Sequence, residues 1–308
     1  MNKELTGFLS LLLGVALFST IEIASKFIGN RVDPYQLVFM RFSVTGIILM
    51  LFALPGLKSE RITLRASDYG ILLLNGFVGI AVSIPVFHYA ILKFDNASSS
   101  AVVFSAHPIF TILFARFING EMWNIRKFGA IMIGAIGVLF FSFESGKFTA
   151  DSFITMSIMM ASGAGFALSV CISKRYISRL GVYVMMGGSS IFGSLMVLPI
   201  ALMGIAGTGP AGIIEAWKPL LYICVIGTAG GYGFYYYGIL NTTVFRASTT
   251  FFVKPVLAAV LAYIPLGDKF NLYTLVGMAV IIFSLFLSIL PDRKKEEPQS
   301  LTTGPVNT

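Results

Sequence analysis

Charge is what this sequence has least of. Only 12% of its 308 residues are Asp, Glu, Lys or Arg, about half the share of an ordinary soluble domain. A water-exposed surface for a chain of this length is therefore excluded. Cysteine is scarce as well. Cys171 and Cys224 both lie inside apolar runs, where a buried free thiol is the usual state and a disulfide framework is not expected. The two histidines and two cysteines do not cluster at metal-ligand spacing, and no G-x-S-x-G, H-E-x-x-H, P-loop or dinucleotide fingerprint occurs. With a single acid deep in an apolar run there is no carboxylate pair for intramembrane hydrolysis. No enzyme activity, cofactor or metal is expected. The net charge of +8 sits between apolar runs rather than on a basic face, which argues against nucleic acid as a partner.

What the sequence has in place of charge is 56% apolar residues, gathered in long runs. Ten candidate spans emerge, at 5–27, 34–54, 69–92, 97–117, 124–143, 152–172, 182–203, 217–240, 246–266 and 272–290. Each is long enough, at about 1.5 Å per residue, to cross about 30 Å of hydrocarbon. The runs lack the ten-residue alternation of barrel strands, and helices satisfy their own backbone polar groups. The expected fold is an all-α integral membrane protein of ten transmembrane helices. The first run exceeds a signal-peptide core and reads as a retained span. The tail 291–308 is polar and Pro-containing, and is expected to be disordered. Arg41 and Lys254 apart, Lys and Arg number fourteen toward the side of the N-terminus and six toward the other, which predicts that both termini are cytoplasmic.

The chain also resembles itself at an offset of about 148 residues. HPIFTILFARFINGEMW from His107 aligns with KPVLAAVLAYIPLGDKF from Lys254, pairing Pro108 with Pro255, Gly120 with Gly267 and Glu121 with Asp268. HYAIL at 88–92 aligns with YYGIL at 236–240, and Ser25-Lys26 with Ser173-Lys174. Five spans per copy is an odd number, so the second copy enters the membrane from the opposite side. Two inverted five-helix repeats, 1–143 and 151–290, are the expected domains, an arrangement typical of alternating-access transporters.

These features resemble the EamA-domain transporters of the drug/metabolite transporter superfamily. The resemblance covers nearly all of residues 1–290. It rests on the doubled Pro followed twelve residues later by Gly-acid, and on Arg41 in FMRF of the second span. It implies a cytoplasmic-membrane carrier, often an exporter of amino acids or other small metabolites, with a cavity lined by spans 1, 3, 4, 6, 8 and 9. The residue before each proline is frequently acidic in that family. Here it is His107 and Lys254, a departure that weighs against cation selectivity.

Ionisable groups in hydrocarbon cost about 2.5–3.5 kcal/mol or more each, so they mark function by default. His107 and Lys254 fall near the centres of their spans, each before a helix-kinking proline, and together suggest a midplane site for an anionic or zwitterionic substrate. The bland alternative for Lys254 is pairing with an internal carboxylate. Glu22 is the deep acid and a candidate proton carrier, with Arg41 and His88 at similar depth as coupling or gating groups; pairing of Glu22 with Lys26 or Arg41 is the competing reading. Span 8 carries Gly227 and Gly231 as a close-packing pair and a tyrosine cluster, of which Tyr235 and Tyr236 are candidate substrate contacts. Asn75 and Ser169 are candidate hydrogen-bonding groups. The expected function is a secondary transporter, an exporter of a small organic metabolite such as an amino acid or organic anion. Its partners are a small-molecule substrate, the lipid bilayer and, as a candidate coupling ion, the proton. A lipid-translocating or channel-like protein is the alternative, and monomer or homodimer is left open.

Overall fold

The computed structural model describes residues 3–59, 62–94, 97–122, 124–142, 150–203, 210–266 and 272–289, and every secondary-structure element in them is helical. Phe143, Gly267, Asp268, Leu290 and the tail 291–308 lie outside the described residues. Five helical columns are long and apolar enough to cross a membrane: Lys3–Arg31, Pro34–Lys58, Ala66–Lys93, Phe153–Leu180 and Val182–Met203.

The first column is α1 (Lys3–Ser19) and α2 (Ile21–Ile28), broken at Thr20, whose hydroxyl turns back to donate to the Leu17 carbonyl at 2.6 Å. The next helix, α3 (Pro34–Lys58), starts where its sequence says it should. Pro34 occupies the first turn, and the Asp33 carboxylate accepts from the backbone N–H of Tyr35 at 2.7 Å and of Gln36 at 3.4 Å. The third column runs from α4 (Ala66–Gly76) through a π-helical stretch, Phe77–Val82, into α5 (Ser83–Lys93). Then come α6 (Ala97–Phe104), α7 (Pro108–Ile118), α8 (Ile125–Ser142), α9 (Ala150–Leu180) and α10 (Val182–Met203). A short α11 (Pro210–Glu215) leads to α12 (Trp217–Tyr222), a second π stretch, Ile223–Gly230, and α13 (Gly231–Asn241). The chain closes with α14 (Val244–Thr249), a 3₁₀ turn at Thr250–Phe252, α15 (Val253–Leu266) and α16 (Leu272–Ile289).

Several details differ from the sequence expectation, beginning with the fourth run, which is split into α6 and α7 ahead of Pro108. The sixth run does not end at 172 but stays helical to Leu180, so Lys174, Arg175 and Arg179 ride on α9 instead of a loop. The ninth run is not one helix: a proline cannot bond back to the preceding turn, and the 3₁₀ turn ahead of Pro255 divides it. Span 8 contains a π segment that no local residue pattern announced.

Close approach of α1 and α13 rests on glycine. A Cβ on Gly14 would stand 2.8 Å from the Tyr235 backbone nitrogen, and one on Gly238 would stand 2.8 Å from the Gly7 carbonyl oxygen. The expected pair behaves likewise, Gly227 facing Ile21 and Gly231 facing the Phe18 ring.

Several contacts recur at positions about 148 residues apart. Lys26 on α2 donates to the Phe94 carbonyl just past α5. Lys174 on α9 donates to the carbonyls of Ile239 at 2.7 Å and Thr242 at 2.6 Å, at the end of α13. Both lysines satisfy orphan carbonyls where the helix dipole favours a cation. Arg31 pairs with Glu215 at 3.8 Å, and its counterpart Arg179 pairs with Asp68. These two ion pairs lie at opposite ends of the bundle, the second at the end where Glu4 meets Arg246. A cavity of about 610 Å³ lies at the Arg31 end, beside Asp33, Tyr35, Tyr89 and Lys93.

Candidate functional site

The site grows out of the two broken helices. Because Pro255 has no N–H, the Phe251 carbonyl gets no helical donor four residues on, and the chain tightens into the 3₁₀ turn before α15. Lys254 follows directly and reaches into the bundle. Its ammonium, 2% exposed with its residue, forms an ion pair with Glu22 Oε1 of α2, which is fully buried. The rest of its shell is aromatic: Nζ lies 4.8 Å from the Phe104 ring centroid, 5.2 Å from Phe87 and 6.0 Å from Phe251. Ring faces attract cations, most strongly where water is excluded.

His107 occupies the same place ahead of Pro108. Its Nδ1 lies 3.1 Å from the Phe104 carbonyl, which only accepts, so in the neutral imidazole Nδ1 carries the proton and Nε2 the lone pair. The imidazole packs edge-on to Phe251 at 4.5 Å and to Phe166 at 5.3 Å. Phe104 and Phe251 are thus shared between His107 and Lys254, which the structure brings to one locus.

Arg41 of α3 borders the same pocket. Its Nε donates to Thr228 Oγ1 at 2.9 Å, and its Nη1 is hydrogen-bonded to His88 Nε2. Between Arg41, Lys254 and the rings of Phe18, Phe104, Tyr232 and Phe251 a void of about 30 Å³ remains, room for roughly one water-sized group.

A second polar cluster contains no charge. Asn75 Nδ2 donates to Ser189 Oγ at 3.0 Å, while its Oδ1 accepts from Ser169 Oγ at 2.9 Å and Ser173 Oγ at 3.3 Å. The Tyr236 hydroxyl lies 3.3 Å from Ser173 Oγ and donates to it, since the Ser173 proton is directed to Asn75. Tyr235 is buried with its hydroxyl donated to the Ala247 carbonyl at 3.3 Å, so it offers the site a ring rather than a polar group. Tyr237 is 44% exposed and faces away.

All nine residues singled out in the sequence are buried, and they divide into two groups. Glu22, Arg41, His88, His107, Lys254 and the Tyr235 ring surround the aromatic pocket, whereas Asn75, Ser169 and Tyr236 belong to the neutral cluster. Glu22 pairs across the bundle with Lys254, where a local reading favoured Lys26 or Arg41. Sequence reasoning missed the aromatic wall and, within the tyrosine cluster, chose Tyr235 and Tyr236 over Tyr232, which lines the pocket, yet a signal was present. Phe18 and Phe166, Phe87 and Tyr235, and Phe104 and Phe251 fall at duplicated positions, so three pairs of rings from the two copies build one box. Among the described residues no group of three His, Cys, Asp or Glu side chains converges to hold a metal.

An all-helical bundle with membrane-length apolar columns and a buried ion pair at its heart defines a polytopic membrane protein. The EamA-like transporter family matches residues 5–143 and again 153–290, and the chain belongs to that family. A Clostridium kluyveri protein described as an uncharacterized transporter is 29% identical over 94% of this chain and 95% of its own length. The S-adenosylmethionine uptake transporter of Rickettsia prowazekii is 23% identical, covering 96% of each chain. A solved crystal structure superposes with a TM-score of 0.72 at 16% identity, over 92% of this chain and 96% of the other, a likeness of fold alone. The chain is thus a membrane transporter for a small molecule.

Proposed function

We propose that the protein is a secondary carrier, an exporter of a small organic metabolite such as an amino acid or organic anion, working by alternating access in the cytoplasmic membrane. Ten crossings in two inverted five-helix repeats, 1–143 and 151–290, with both termini cytoplasmic, supply two equivalent ways of opening one pocket. The observation that carries this reading is a buried pocket built from duplicated positions of both copies, lined by Lys254 and by rings that pack against His107. Lys254 and His107 orient the substrate against the Tyr235 ring, Glu22 titrates during the cycle, and Arg41 with His88 gates the Arg31 end. Asn75, Ser169 and Tyr236 contact the substrate as it leaves or enters at the other end. The duplicated ion pairs at opposite ends support this, because alternating access needs a closure at each end.

The test is counterflow with purified protein in liposomes, using a panel of labelled amino acids and organic anions. A saturable exchange lost in Lys254→Ala is expected. Flux that rises linearly with concentration, or movement of labelled phospholipid without a soluble substrate, would replace the carrier with a channel or a lipid translocator. For topology, single cysteines at Met122 and Ile214, in a background with Cys171 and Cys224 changed to serine, should react from opposite compartments. Reaction from one side alone overturns the inverted arrangement.

A further inference from the structure

The pocket around Lys254 has a chemical sign of its own, and it is set by which polar atoms are left over. Arg41 is engaged by Thr228 and His88, and Lys254 by Glu22 and three ring faces. The buried polar atoms without a hydrogen-bond partner include Glu22 Oε2 and His107 Nε2. Glu22 is 0% and His107 1% exposed; Glu22 meets the pocket through its ion pair with Lys254, and His107 packs edge-on to the Phe251 ring that lines it. An unsatisfied buried polar atom is costly, so whatever enters this pocket gains most by bringing hydrogen-bond donors. Free acceptors beside aromatic faces are the chemistry that recognises an ammonium group.

The group now on the carboxylate and the rings is itself an ammonium, tethered by a four-carbon stem to the most irregular part of its helix. The 3₁₀ turn at Thr250–Phe252 and Pro255 flank Lys254 on either side, so its backbone is not locked into a regular ladder on the N-terminal side. A space of about 30 Å³ lies next to it.

We propose that Glu22 with Phe87, Phe104 and Phe251 is a binding subsite for an organic ammonium group, and that Lys254 is its internal stand-in. The substrate's ammonium takes the Glu22 carboxylate and the ring faces as Lys254 withdraws. His107 Nε2 accepts a further N–H. The released lysine is then free to meet a carboxylate on the same molecule if it carries one. This rests on the carrier reading above and narrows its substrate class to amines and ammonium-bearing zwitterions; simple organic anions are excluded. It also explains how a pocket with two cationic side chains avoids acting as an anion trap: one cation fills the place the ligand will take.

The experiment is chemical rescue of Lys254→Ala. Removing the tethered group leaves Glu22 and the rings vacant, so ethylammonium should bind there and restore what the lysine supplied. Thermal unfolding of the purified variant at mildly alkaline pH is followed in ethylammonium chloride, in sodium chloride of equal ionic strength, and in sodium acetate. At about ten times its dissociation constant, ethylammonium should raise the melting temperature by about 2–3 °C over the sodium salts. The shift should disappear in Glu22→Gln/Lys254→Ala. Equal curves in all three salts, or stabilisation by acetate, would overturn the assignment. If Lys254→Ala does not fold, the wild type decides. Butylammonium should raise its melting temperature above that in matched sodium chloride, and no shift, or a shift with butyrate alone, sinks the proposal. An ammonium-specific shift without any counterflow would leave this subsite standing and remove the carrier reading; counterflow without the shift would do the reverse.

Discussion

Set the charged pocket beside the neutral cluster, position by duplicated position, and the two copies share a scaffold but not a chemistry. Glu22 corresponds to Val170, Arg41 to Ser189 and His88 to Tyr236. On one side these residues meet Lys254 and Thr228 in an ionic network. On the other, Ser189 meets Asn75 and Tyr236 meets Ser173 in a network of hydroxyls and one amide, while Val170 brings no polar group. The features that are repeated faithfully are the ones that hold helices: the ring pairs of the box, the helix-end lysines Lys26 and Lys174, the prolines and the π stretches. Duplication has kept the geometry, and divergence has concentrated charge in one cluster. The two copies therefore contribute unequal chemistry to the centre of the bundle.

The strongest way to break this comparison is to remove charge from the ionic side. Glu22→Gln leaves the Lys254 ammonium without its counterion in a dry site, and breaking a buried pair costs about 3–5 kcal/mol. The double variant Glu22→Gln/Lys254→Met removes both charges at similar volume and should recover most of that stability without recovering transport. Thermal unfolding together with counterflow on the single and double variants checks this. Additive losses in the double variant would show that the two residues do not act as a pair.

A smaller effect is expected on the neutral side. Asn75→Ala strands Ser169 and Ser189, whose hydroxyls bond to the amide, and should cost about 1–3 kcal/mol. Affinity for an ammonium ligand should stay near the wild-type value, because the ionic subsite is untouched. A loss of affinity matching that of Glu22→Gln would erase the division of labour between the clusters.

How much of this could be read beforehand follows the range of the interactions. Apolar runs, their lengths and the doubled Pro motif are local, and they gave the helices and both pre-proline residues. The partner of Glu22 is not local. An i, i+4 rule pointed to Lys26, but that lysine is drawn to the end of α5, and the true partner lies on the other copy. The aromatic box fell between these cases. Single phenylalanines in apolar runs are unremarkable, and only their recurrence at matching positions, as in Phe104 three residues before His107 and Phe251 three before Lys254, separates wall from filler. The π stretches, Phe77–Val82 and Ile223–Gly230, fall at matching positions of the two copies but carry no residue signature of their own.

The ends of the bundle sharpen the comparison further. Asp68 is fully buried and accepts from Arg179 Nη1 at 2.9 Å and from the Arg65 backbone N–H at 2.8 Å. Arg31 and Glu215 stand 3.8 Å apart with side chains 49% and 67% exposed. The former is a charge-assisted closure with several bonds; the latter is a surface pair beside the large cavity. Arg179→Ala should raise severalfold the reaction of a Ser173→Cys thiol with a water-soluble reagent, since the neutral cluster lies behind that closure. Arg31→Ala should change stability by only about 0–1 kcal/mol and leave labelling of the same thiol unaltered. Equal labelling in both variants would mean that the ends are equally tight and that the asymmetry of charge at the centre has no counterpart in how the bundle is shut.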